Sequence, residues 1–143
     1  MSDFEMPYFV DGGGNKGYFK DTTAREQIVD TNNDLVIVKV PNSFITLESG
    51  ISIITNQVFK QGNHIFGWIT FGFSAQKPDN LKLGVLNTGY TTNYFVRMIA
   101  GLGTEAWACE NVGYAIQDTD GALYVKGYTN NIKAAHIHID YVI

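Results

Sequence analysis

At 143 residues the chain has the length of one common domain, and 45% apolar with 13% aromatic residues is enough to build a core. Its net charge is −4 and its ten Lys and Arg never occur in a run, which excludes the clustered basic patch that nucleic acid binding needs. The single cysteine, Cys109, excludes an intrachain disulfide framework; within Trp107-Ala108-Cys109 it reads as a small buried hydrophobe rather than a nucleophile.

The opening segment, Met1 to Pro7, is acidic and lacks the apolar core of a signal peptide. No apolar stretch approaches the ~20 residues of a membrane span. The expectation is a protein made in a cytoplasm, without membrane insertion and without a standard secretory route. Asp11-Gly12-Gly13-Gly14-Asn15 is a turn, and on either side Tyr8-Phe9-Val10 and Gly17-Tyr18-Phe19 form either a small hairpin or an extended arm.

A helix start follows. Asp21-Thr22-Thr23 supplies N-cap side chains, Thr23 with Glu26 fits a capping box, and Ala24 to Gln27 favour a helix. Ile28 and Leu35 stand one heptad apart, too short a stretch to stand alone, and Asn32-Asn33-Asp34 ends it. Residues 1–35 therefore read as an irregular connecting arm with a short helix, and residues 36–143 as a β domain.

From Leu35 onward the period changes to two. Val36 to Val40 is a β-rich run stopped by Pro41, Phe44 to Leu47 is short, and Ile51 to Lys60 is long. Gln61-Gly62-Asn63 is a turn. His64 to Ser74 then alternates with Ile65, Gly67, Ile69, Phe71 and Phe73 on one face. Phe66, Trp68 and Thr70 lie on the other, which predicts a strand covered on both sides. Leu81 to Leu86, Tyr94 to Leu102, Ala106 to Gln117, Ala122 to Tyr128 and Ile132 to Ile143 follow, with Asp120-Gly121 marking a hairpin. Low charge (17%), 15 Gly and eight or nine strands predict an all-β fold: an antiparallel β-sandwich or jelly-roll behind the arm and helix.

Chemical constellations are sparse. His136, His138 and Asp140 share a strand face, so the two imidazoles either face solvent or a neighbouring chain, or ligate a metal with help from another copy. Asp118-Thr119-Asp120-Gly121 begins like a calcium loop, but residues 122–128 offer no further oxygen ligands. No histidine sits in a nucleophile motif, and the few Glu are isolated; neither an enzyme nor a cofactor is expected. Aromatics are the better candidates, because Tyr and Trp combine an apolar body with a polar tip. On loops at a strand end, Tyr90, Trp107 and Tyr128 are the candidate binding residues.

The segment Tyr18-Phe19-Lys20-Asp21-Thr22-Thr23-Ala24-Arg25-Glu26-Gln27-Ile28 resembles the "Lys-Asp-x-x-Ala-Arg" opening of fibre-like structural proteins of tailed phages and prophages. Leu86-Asn87-Thr88-Gly89-Tyr90, Asp120-Gly121-Ala122-Leu123-Tyr124-Val125 and Ile137-His138-Ile139-Asp140-Tyr141 are similar to segments of the tip domains of phage head-fibre, tail-fibre and baseplate proteins. Thr91-Thr92 stands where that pattern often has Pro, and the helical stretch is shorter than in long fibres. The resemblance implies a homotrimeric virion appendage protein, attached to other virion proteins through Asp21, Ala24, Arg25 and Ile28. The tip would bind a host-surface receptor, a glycan first. The alternatives are a structural decoration protein without a receptor, and a carbohydrate-active enzyme or accessory module.

Overall fold

The computed structural model describes residues 8–10, 12–14, 16–18, 35–76, 79–127 and 131–143. The expected helix with Asp21, Ala24, Arg25 and Ile28 lies outside these residues, as does Tyr128. The chain divides into two compact units, Met1–Leu35 and Val36–Ile143. In the first, β1 (Tyr8–Val10) and β2 (Lys16–Tyr18) pair antiparallel with Tyr8 opposite Tyr18, so the hairpin alternative is the one formed.

Among the described residues, the second unit holds β3 (Ile37–Lys39), a 3-10 turn (Asn42–Phe44), β4 (Ile45–Leu47), β5 (Ile51–Gln61) and β6 (His64–Gln76). It continues with β7 (Leu81–Leu86), β8 (Val96–Gly103), β9 (Asn111–Gln117), β10 (Ala122–Lys126) and β11 (Ile132–Val142). All pairs are antiparallel, in the order β3-β5-β6-β11-β8-β9-β10-β7-β4. The predicted all-β antiparallel class is thus observed, but as one continuous sheet where a sandwich would have two.

Connection lengths dictate how that sheet is shaped. β4 is at one edge and β5 is second from the other, seven strand spacings away, which is about 34 Å if flat. Leu47 and Ile51 are only four residues apart and span at most ~14 Å. The sheet must therefore curl, and it forms a half-barrel. The segment Val40–Phe44 bridges the opening: Val40 N donates to Val58 O (2.9 Å) and Asn87 N donates to Phe44 O (2.8 Å). Asn56 Nδ2 holds the same bridge through Val40 O and Asn42 Oδ1, both at 2.9 Å, and Asn87 Nδ2 donates to Ser43 O.

Inside the curl lies the core. The alternation of β6 and β11 sends Ile65, Ile69, Phe71, Phe73, Ala135, Ile137, Ile139 and Tyr141 inward against Phe44, Val58, Leu83, Leu102, Leu123 and Val125. Each fully buried aliphatic or Phe side chain contributes roughly 1.5–3 kcal/mol. The other face is not covered as expected for β6. Trp68 is 48% exposed and Phe66 half-buried, because no second sheet packs on the convex side, where only the loop over β8 and β11 covers part of the face, Thr70 included. The edge run was also expected to be a full strand over Val36–Val40; only Ile37–Lys39 pair, and Val36 to Val38 are exposed.

Candidate binding surface

The sheet has two ends. Loops 41–44, 62–63, 87–95 and 118–121 gather at one, and loops 48–50 and 104–110 at the other, as the antiparallel strand directions require.

Tyr90 lies at the first end and is half-buried. Its ring packs edge-on against Phe44 (5.8 Å), Lys60 Nζ sits 5.6 Å from its centroid, and its carbonyl accepts the Tyr141 hydroxyl (2.6 Å). These contacts make Tyr90 a tie between elements. Beside it, Tyr94 and Phe95 are exposed, with the Arg97 guanidinium 5.6 Å from the Phe95 ring.

Trp107 lies at the opposite end and is 85% exposed. The strand expected over Ala106–Gln117 starts only at Asn111; residues 104–110 form a loop folded onto the outer face of β8 and β11. Small residues permit this. A Cβ on Gly103 would lie 1.8 Å from the Ala108 carbonyl oxygen, so any other residue there would lift the loop away.

The loop is clasped at several points. Thr104 N and Oγ1 donate to the two carboxylate oxygens of Glu110 (both 2.9 Å), closing the neck. Glu110 N donates to Leu102 O (2.9 Å), and Ala108 N to Glu105 O (3.2 Å). His136 Nε2 donates to Ala108 O (2.9 Å), and its Nδ1 is 2.9 Å from Thr70 Oγ1. A carbonyl only accepts, so Nε2 carries the proton, and in the neutral ring Nδ1 accepts from the Thr70 hydroxyl. Cys109, expected to be buried, is an exposed free thiol, because the loop places its Sγ over Gly101 on the outside of the sheet.

Next to this loop the outer face carries an open row. Trp68 pairs with Gln57 on β5 and His138 on β11; one step beyond the pair Ile137–Ala100, the register brings His138 level with Ile99. Ile99 pairs with Tyr114, and Tyr114 with Lys126. The row crosses six strands, about 24 Å. Ile99 is 67% exposed, and Val112, in the next row toward the loop, 74%. These exposed apolar side chains share one face of the sheet. In the sequence these outward positions were visible by alternation, but nothing there distinguished a covered face from an open one.

His136 and His138 share this outer face, as the strand period predicts, yet both His136 nitrogens are engaged within the chain. On the next outward position, Asp140 Oδ1 lies 2.7 Å from His64 Nε2. No group of three or more metal-ligating side chains occurs among the described residues. At the seam of the curl, Lys82 Nζ donates to Glu48 Oε1 (3.0 Å), and this hydrogen bond holds the ammonium above its ordinary pKa. No helix among the described residues is long and apolar enough to cross a membrane.

No family model and no curated protein matches the chain. Among solved structures, it is similar to the crystal structure of the receptor binding protein (gp15) of Listeria phage PSA. The TM-score is 0.47 with 13% sequence identity, over 83% of this chain and 74% of that one.

Proposed function

We propose that the chain is a non-enzymatic virion appendage protein. In this reading residues 1–35 attach it to other virion proteins, three copies assemble, and the half-barrel unit binds a host-surface receptor, a glycan first. The observation that carries the reading is Trp107, 85% exposed on a loop clasped at its neck and at its middle, beside the open row of Trp68, Ile99 and Tyr114 and the adjacent Val112. A large aromatic whose backbone is already fixed loses little further freedom on binding, which is how hot spots reach high energy per residue. A Trp face suits the apolar face of a sugar ring or a protein groove equally. Three linked copies multiply a weak single contact, by roughly 10²–10⁴ in avidity.

The test is binding of the full chain to an immobilised panel of bacterial surface polysaccharides, with solution mass by light scattering. The expected result is a mass near three times 15.9 kDa and retention on at least one polysaccharide, reduced tenfold or more by Trp107→Ala. A monomer that binds nothing on the panel would overturn it. The breadth of the apolar row favours one second reading, a structural decoration protein that docks this face on another virion protein. In that case the trimer forms but no polysaccharide is retained.

A further inference from the structure

Building on the reading above, we infer that His136 is the positioning residue of the binding surface: its ring pins the Ala108 carbonyl to the sheet and thereby fixes Trp107 in the orientation that meets a partner. Trp107 is 85% exposed, so little packing restrains its side chain. Its placement is therefore set by its backbone, and the residue that follows it is tied down by the His136 Nε2–H at 2.9 Å. His136 is in turn held from behind by Thr70 Oγ1, a side chain only 2% exposed and paired with it across β6 and β11.

The relay has a direction that chemistry fixes. The Ala108 carbonyl demands a donor, so the ring is the Nε2–H tautomer, and Thr70 locks that tautomer by donating to Nδ1. The other clasps act elsewhere: Glu110 closes the neck at Thr104, and the Glu105–Ala108 turn is internal to the loop. Among the described residues, the His136 hydrogen bond ties the loop's middle to the sheet underneath. The geometry gives His136 a role that its place beside His138 and Asp140 on one strand face does not announce.

The test uses the full chain. In wild type, a long-range proton–nitrogen spectrum of the imidazoles is expected to show His136 protonated at Nε2 and bare at Nδ1. In His136→Phe, which keeps a ring of similar volume but neither nitrogen, the loop loses its tie, and hydrogen exchange at the Ala108 and Glu110 amides, which donate to Glu105 O and Leu102 O, is expected to rise about tenfold. Fluorescence anisotropy decay in a Trp68→Phe background, where Trp107 is the remaining tryptophan, should gain a fast local component. Wild-type His136 found as the Nδ1–H tautomer, or His136→Phe with unchanged exchange and anisotropy, would overturn the inference. A wild-type spectrum with the proton on Nδ1 overturns the inference even if the variant does not fold. Loss of Trp107 order in His136→Phe, with wild type retained on no polysaccharide of the panel, would support the positioning role while sinking the receptor reading.

Discussion

Gly67 is the fourth residue of a 13-residue strand and has φ 126°, a backbone conformation that L side chains rarely adopt. A Cβ there would meet the Gln57 carbonyl oxygen at 2.0 Å, and the atom that would have to yield is backbone. Both neighbouring strands pair at this point, Val58 on one side and Ile139 on the other, so neither can retreat without breaking its own ladder. Gly67→Ala is expected to destabilise the fold by about 3 kcal/mol, combining strain with the clash. Denaturant unfolding measures it, and a loss under ~1 kcal/mol would show that β5 slides freely over β6. The same residue shows where reading a sequence stops. Alternation places Gly67 with Ile65 and Ile69 on the inner face, yet the reason it is glycine is the approach of a strand eight or more positions away. Trp107 and Tyr90 differ in the same way. Both are candidate binding aromatics in the sequence, and only the partners Phe44, Lys60 and Tyr141 make one a tie while the other stays exposed.

Among elements, the bridge Val40–Phe44 carries the curl. It connects β3 to β4, the two edges of the sheet, and Asn56 on β5 anchors it with both amide hydrogens, one to Val40 O and one to Asn42 Oδ1. Asn56 Oδ1 also accepts from Val58 N (2.9 Å), so the side chain makes three bonds. Asn56→Ala is expected to cost about 2–3 kcal/mol, with loss centred on the bridge. Hydrogen exchange at Val40 and Phe44, which donate to Val58 O and Pro41 O, would show the opening locally. Protection unchanged at both amides would mean that the backbone bonds alone hold the bridge. Hairpins were the legible part of this architecture. Gly62-Asn63 and Asp118–Gly121 make the turns their residues announce, because both ends of such a turn are local. The pairing of β6 with β11 and of β11 with β8 joins segments tens of residues apart, and no local signal chooses between those pairs and a two-sheet arrangement. The outward alternation of His136, His138 and Asp140 was equally legible, while the loop that covers His136 was not. Its cause is the absence of a Cβ at Gly103, and that becomes a requirement only once residues 104–110 fold over it.

At the scale of the whole unit, the end holding Tyr90 is locked by one phenol. Tyr141, on β11 in the interior of the sheet, reaches inward and donates to the carbonyl of Tyr90, whose ring abuts Phe44 of the bridge and lies under Lys60 of β5. Four parts of the chain meet there, so the ionisation of this group couples to the stability of the fold. Burial pushes the Tyr141 hydroxyl well above its ordinary range, and the neighbouring Tyr90 adds to the shift. An ionised phenolate would lie buried against a carbonyl oxygen with no proton to donate. Because the folded value is raised above the unfolded one, near 10, the stabilisation is fully present below about pH 10 and falls as pH rises past it. In that window the loss should approach about 1.4 kcal/mol per pH unit until the folded group itself titrates. Lysines ionise in the same range, so the decisive comparison is with Tyr141→Phe. That variant lacks the donor and should be about 1 kcal/mol less stable at neutral pH, but its stability should fall more gently above pH 10. Denaturant midpoints from pH 8 to 12 for both proteins measure the difference. Curves that converge above pH 10 and cross about one pH unit higher are expected; parallel curves would mean that Tyr141 ionises as easily in the fold as outside it.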